Sequence, residues 1–486
     1  MTRHTARPAV THNPRTVSQT DLLLDCASAA TFFTTDHGQV YATLHLGPAG
    51  HQVWPLRSAL FQYWLLNRFY QEHQTAPGDA SWRAALRILE ACAHCHSAPP
   101  HPLHRRVAGR GNPLETIGLD LLNSQSEVLE ITADGWNVLA DSGFFFHYHC
   151  GNLPLPHPLP AEPSALDCLR SLLNLANAPD WLRCLAWLLA AFRPSGPYPI
   201  LVLQGPPGSG KSTAARMLRA LIDPATASLC PLPFSETALS TLAHNHWVLA
   251  FDHLTHASNR ISSALCRLST GHGFFYQERY HALEPVPLTV QRPILLTVPT
   301  PHHWNPRPDL ADRTLAVTLP PIPPQCRLPE ADLWRQFEAA RPSLLGALCT
   351  ALSTALRRLD SVHLPAAPRF ADAAVWAVAA APALGATEET VISALSSPGA
   401  FGAHSHPVVE ALSALMKDRV RWAGTASELL ALPHPPDETL WPRNPSAFSR
   451  HLKDLIPSLS ARGLDLQFHR AHGGRRLITL EPCEAP

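Results

Sequence analysis

The sequence predicts an α/β protein whose central part is a parallel sheet flanked by helices, with smaller folded parts on either side. Three observations predict it. From Ile200 to about Leu319, apolar strand-like runs alternate with helix-like stretches, the pattern of parallel strands joined by helical crossovers. The run "PILVLQ" leads straight into the glycine-rich turn "GPPGSGKS" and then into "STAARMLRALI", which reads as a helix. The chain has 486 residues, too many for one ordinary core, so two to four domains are expected.

The elements follow in order. Residues 1–20 are polar, carry prolines and read as a disordered tail. Residues 21–150 read as a small α+β domain of unknown role. Within it "QVYATLHL" alternates as a strand does, and "RSALFQYWLLNRFYQEH" sets Leu60, Phe61, Trp64, Leu65 and Phe69 at helical spacing. "EVLEITADGWNVLA" reads as two short strands about Asp134-Gly135. Residues 151–199 are a proline-rich linker and helices leading to the core, which spans 200–325. Residues 326–398 are Ala- and Leu-rich, a helical, lid-like segment, and a second linker precedes a last small domain at 408–486.

Composition narrows the function. Formal net charge is zero, so any nucleic-acid surface must be local. The eleven cysteines are scattered singly, unlike a disulfide framework, and point to a reducing cytoplasm. The N-terminus has no apolar core of a secretory signal. The longest apolar stretch, Trp181–Phe192, contains Arg183 and is too short to span a bilayer, so no membrane partner is expected. The C-x-x-C of "CAHCHSAPPHPLH" lies in a chain with 28 histidines, and reads as composition more readily than as a zinc site.

The chemistry starts at the turn. Gly205, Pro206, Pro207, Gly208, Ser209, Gly210, Lys211 and Ser212 fit G-x-x-x-x-G-K-[ST], and Thr213 follows. Glycines let the backbone N–H groups face phosphates, and the helix N-terminus adds partial positive charge. Lysine occurs only three times, at Lys211, Lys417 and Lys453, and one of the three sits where the β- and γ-phosphates need it. ATP is the expected cofactor, with Mg²⁺ on Ser212. A second acid is needed at the end of a buried strand. "HWVLAFDHL" supplies Asp252, which reads as the partner of Mg²⁺ and its water, or else as a loop or cap aspartate. His253 stands next, where many such ATPases place a glutamate. In "PRPDLADR", Arg307 and Arg313 are candidates to reach a neighbouring subunit's γ-phosphate, against the plainer reading of surface ion pairs.

Together, "GPPGSGKSTAARMLRALIDP", "HWVLAFDHLT", "SSALCRLSTGHGFFYQERY", "QRPILLTV" and "RPDLADRTLAVTLPPIP" resemble the phage and mobile-element ATPases related to superfamily-three helicases, and the C-terminal ATPase of poxvirus-type primase–helicases. The resemblance covers Arg193 to Pro324 most specifically. It implies an AAA+-like P-loop NTPase core, a homo-oligomer such as a ring, ATP, and work on DNA in replication of a mobile element. It also implies a polar sensor after "PILL", here Thr297 rather than asparagine, and a DNA-touching hairpin in "GFFYQERYHALEPVP". Arg279 and Tyr280 are the candidates there, with charge and stacking suited to single strands. Phe274 and Phe275 could equally pack on the sheet.

The C-terminal stretch reads as a winged helix. Thr425 and Glu428 fit a capping box, "NPSAFSRHLKDLIPSL" is an amphipathic helix, and "LDLQFHRAHGGRRLITL" is a strand–turn–strand. Arg450 and Lys453 would lie on a recognition helix, and Arg475 and Arg476 on the wing, facing single- or double-stranded DNA. Winged helices also serve as protein contacts. Three functions fit: a helicase-like ATPase acting on DNA, an ATP-dependent DNA-bound initiator or switch that barely hydrolyses, and a P-loop small-molecule kinase. The basic C-terminal domain and the lack of a readable substrate lid weigh against the kinase.

Overall fold

The computed structural model describes residues 17–35, 38–45, 51–95, 101–149, 151–271, 274–276, 286–288, 290–299, 304, 306–396, 407–417, 419–432, 444–460, 462–470 and 476–483. Two compact units divide the chain. One takes Met1–Arg105, Leu122–Val128 and Ala140–Cys150, and the other takes Arg106–Leu121, Leu129–Leu139 and Gly151–Pro486.

The first unit begins with α1 (Gln19–Ala27), closed at its start by a Ser18–Asp21 capping box. Strands β1 (Ala30–Thr34), β2 (Val40–His45) and β3 (His51–Pro55) form an antiparallel sheet, followed by α2 (Ala59–His73) and α3 (Asp79–Cys95). Phe61, Leu65 and Phe69 turn one face of α2 into this unit's core, beside Leu23, Leu44 and Trp54. Short strand β4 (Leu103–His104) later pairs with β9.

The second unit takes in a four-stranded sheet: β5 (Val107–Arg110), β6 (Thr116–Asp120), β7 (Val128–Thr132) and β8 (Gly135–Leu139). The hairpin expected about Asp134-Gly135 is present as β7 and β8. Their place differs from the expected 21–150 domain, because Val107, Ile117, Leu119, Leu129 and Ile131 share a core with Leu201, Leu203 and Leu218 of the central region. After β9 (Phe145–Phe146) come α4 (Ala165–Leu172) and α5 (Ala178–Ala191). Asn177 caps α5 by accepting Asp180 N–H at 2.8 Å.

The central region runs β10 (Ile200–Gln204), α6 (Lys211–Ala220), α7 (Glu236–Asn245), β11 (Leu249–Phe251), α8 (Asn259–Thr270), β12 (Phe274–Tyr276), β13 (Val286–Leu288), β14 (Ile294–Val298), α9 (Pro308–Ala311) and β15 (Thr314–Thr318). Strands β11, β14, β10 and β15 lie in that order and all pair in parallel. Leu201 and Leu203 face one core; Ile200 and Val202 face another. Burial on both faces explains why these strands read as unbroken apolar runs rather than alternating ones. The small pair β12–β13 is antiparallel.

Helix α10 (Glu330–Arg358) carries Phe337, Leu344, Leu348 and Leu352 into the same core as α5 and β10. The segment expected as a lid is thus part of that core. α11 (Ala371–Ala380) and α12 (Glu388–Ser396) follow. The last region has its own core of Val408, Leu412, Phe448, Leu452, Leu466 and Ile478. Its order is α13 (Pro407–Met416), β16 (Trp422–Gly424), α14 (Ala426–Leu430), α15 (Pro445–Ser460), β17 (Leu464–Arg470) and β18 (Arg476–Pro482), with the sheet ordered β16-β18-β17. The Thr425–Glu428 capping box at α14 is formed. Among the described residues, no helix is long and apolar enough to cross a membrane.

One buried ion pair ties the second unit together. Asp223 accepts from Arg106 Nε at 3.1 Å and from the Trp247 and Val248 N–H groups at 2.9 and 3.0 Å. Arg106 also donates to the carbonyls of Asp120 and Leu153. Asp223 therefore links the β5–β6 sheet, the linker at Leu153 and the entry to β11. Burial works against its charge, but Arg106 and Arg219 outweigh it and hold the carboxyl below its usual range.

Candidate nucleotide and magnesium site

Parallel strands bring their C-terminal ends together, and in open α/β sheets ligands bind there. Here those ends carry Gly205 after β10, Asp252 after β11, and Thr297 near the end of β14. The loop from Gly205 to Gly210 turns directly into α6. Gly210 takes φ 84° as the residue before the helix, a left-handed conformation that glycine adopts without steric penalty. A methyl group on Gly205 would collide with the Leu319 carbonyl oxygen, so this position needs glycine for close approach. Pro206 is half-buried, Pro207 and Gly208 are exposed, and Thr213 lies on the first turn of α6.

Lys211 Nζ donates to the carbonyls of Gly205 and Pro206 at 2.7 and 2.8 Å, and to Ser209 Oγ at 3.3 Å. The ammonium thus stands inside the loop's curve. Burial lowers its pKa, and the Asp252 charge opposes that shift. Ser212 Oγ donates to both Asp252 oxygens, at 2.9 and 3.1 Å. Thr297 Oγ1 donates to Asp252 Oδ1 and accepts from the His253 N–H at 2.9 Å. Ser212 and Asp252 are 40 residues apart and Asp252 and Thr297 are 45 apart, and with Lys211, the neighbour of Ser212, they converge here. Ser212 and Asp252 offer a hydroxyl and a carboxylate, the hard oxygen donors that suit Mg²⁺.

His253 has φ 55°, an uncommon value for a non-glycine residue, and its side chain is exposed. Sequence reasoning missed Asn174. Its amide donates to the Ser209 carbonyl at 3.0 Å and to the Pro320 carbonyl at 2.7 Å, fixing the loop against the chain that leaves β15. Those partners lie 35 and 146 residues away, and no local pattern announces them.

Arg313 is elsewhere. Its carbonyl accepts the Ile200 N–H, so it stands at the N-terminal end of β15 and β10, opposite the loop. Its guanidinium donates to the Asp309 carbonyl at 2.6 Å. Arg307 pairs with Asp309 at 3.2 Å. Neither joins the cluster around Lys211. Of the DNA-facing candidates, Arg279, Tyr280 and Arg475 lie outside the described residues, as does the side chain of Arg476. Arg450 and Lys453 are exposed on α15, and Lys453 Nζ lies 5.3 Å from the centroid of the Phe468 ring.

Residues 166–395 match the family of the Actinomycete integrative conjugative element replication protein, and residues 408–485 match its RepA C-terminal domain. No curated protein matches the chain. Among solved structures, the A form apo structure of the NrS-1 C-terminal region has 8% identity and a TM-score of 0.40, covering 96% of this chain and 98% of that one. The apo structure of NrS-1 residues 305–718 has 8% identity and a TM-score of 0.39, covering 97% of this chain and all of that one. By the two family matches, the chain is a replication protein of a mobile element.

Proposed function

We propose that this replication protein is an ATP-binding, helicase-like ATPase that acts on DNA. The observation that carries the reading is the meeting of Lys211, Ser212, Asp252 and Thr297 at one end of the parallel sheet. Strand β14 lies between β10 and β11, which sets the Thr297 hydroxyl beside the acid and the loop. Loop N–H groups and Lys211 would hold the β- and γ-phosphates. Ser212 and Asp252 would hold Mg²⁺, which neutralises phosphate charge when bound. Thr297 orients Asp252 by hydrogen bonding.

Arg313 and Arg307 suit a site shared between subunits. Arg313 lies the full length of the strands, roughly 20 Å at about 3.3 Å per residue, from its own loop end, so it would serve a neighbour's γ-phosphate in a homo-oligomer. The C-terminal order helix, strand, helix, helix and two strands supports the winged-helix reading, with Arg450 and Lys453 exposed on its long third helix, α15. DNA is the partner this suits.

A second reading, an initiator or switch that binds ATP and barely turns it over, is favoured by one observation. His253, not a carboxylate, follows Asp252, and its side chain is exposed. Steady-state hydrolysis with and without single-stranded DNA separates the two. DNA-stimulated turnover supports the helicase-like reading. ATP-dependent assembly without turnover supports the switch.

A further inference from the structure

The chain leaving β15, "LPPIPPQCRLPE", forms a strap across the phosphate loop. It is anchored along its length. Leu319 N–H donates to the Gln204 carbonyl at 2.8 Å, and Pro320 is held by Asn174. A methyl group on Gly210 would lie 3.5 Å from Ile322 Cδ1. At the far end Glu330 pairs with Arg216 of α6 at 2.6 Å, and Arg216 stacks over the Trp334 ring. Five prolines between Pro320 and Pro329 restrict φ along the strap. The strap is therefore fastened to both the loop and the helix that follows it.

Arg327 sits between these anchors. Its Nε donates to the Ile322 carbonyl of the strap at 3.2 Å, which orients the guanidinium. Its Nη2 lies 3.8 Å from where a methyl group on Gly208 would stand. Arg327 is exposed, and among the described residues it makes no ion pair with a carboxylate. Gly208 is at the exposed apex of the loop, beside N–H groups that would receive phosphate oxygens. A guanidinium with free N–H donors at that point matches phosphate geometry.

We infer that Arg327 is a nucleotide-binding residue, supplied by the same subunit, which contacts the phosphate groups of ATP and ADP across the apex of the loop. This rests on the proposed nucleotide site. The strap thus adds a second cation, outside the loop, to Lys211 inside it.

The test is titration of the full chain with fluorescent ATP and ADP analogues at several salt concentrations. Arg327→Ala should weaken both by about 10-fold, a lost charge-assisted contact, and flatten the salt dependence of binding. Arg327→Lys should recover part of the affinity, which a purely structural role would not explain. The melting temperature should be unchanged. Affinities of Arg327→Ala within twofold of the parent, with Lys211→Ala defective, overturn the inference and leave the nucleotide site standing. A parent chain that binds neither analogue overturns the nucleotide site and Arg327's role together.

Discussion

At the scale of single residues, the site turns on one carboxylate. Asp252 accepts from Ser212 and Thr297, and Thr297 in turn accepts from the His253 backbone. Thr297→Val keeps the volume and removes the hydroxyl, leaving the His253 N–H without its acceptor. Single-turnover hydrolysis is expected to fall at least about 10-fold, in line with loss of one positioned hydrogen-bonding group, while nucleotide affinity stays near the parent. An equal loss in both would show that Thr297 supports the fold rather than the chemistry. Lys211→Ala acts earlier. It should remove measurable ATP binding in equilibrium titration, since the ammonium stands within the loop's curve. Lys211 was legible in the sequence because it belongs to a local pattern, a glycine-rich turn, whereas Thr297 was reached only through the family resemblance, as the polar residue after "PILL". Asn174 was not legible, because its meaning comes only from folding. The same holds for Arg327, whose place over Gly208 depends on how the chain leaves β15.

At the scale of elements, the long-range packing departs from the sequence order. Strands β5–β8 read as part of the N-terminal domain because they follow it in the chain. Their inward residues pack with α5 and α10 instead, and alternation within a strand says which residues are buried but not against what. The Arg106–Asp223 pair fastens this arrangement, with side chains 1% and 0% exposed. Asp223→Ala would leave Arg106 buried and uncompensated, along with two backbone N–H groups at the start of β11. It should cost about 3–5 kcal/mol in denaturant unfolding. The pH dependence follows from the depressed Asp223 pKa. The unfolded chain binds the proton more readily, so the contribution is present above the ordinary carboxylate range. It is lost as pH falls through the folded value. Asp223→Asn should therefore be less stable at neutral pH and lose less on acidification. A parallel pH profile for parent and variant would refute this.

At the scale of the whole molecule, the two ends of the sheet have different work. The C-terminal ends of β10, β11 and β14 gather the glycine-rich loop, Asp252 and Thr297, while Arg313 occupies the N-terminal end beside Ile200. A subunit built this way cannot bring its own Arg313 to its own loop without breaking the β10–β15 pairing. Catalysis by Arg313 therefore requires a second copy, and that requirement has a distinctive signature. Arg313→Ala and Asp252→Asn should each be deficient in turnover when assayed alone. Mixed, they should recover part of the activity, because some interfaces would pair an intact Asp252 site with an intact Arg313. The recovery should rise with total protein concentration, as association demands. If Arg313 acted within its own chain, every mixture would give only the sum of the two deficient enzymes. Turnover by Arg313→Ala alone that matches the parent would instead place Arg313 outside catalysis. Its bond to the Asp309 carbonyl would then be its role, a local brace at the turn that starts β15.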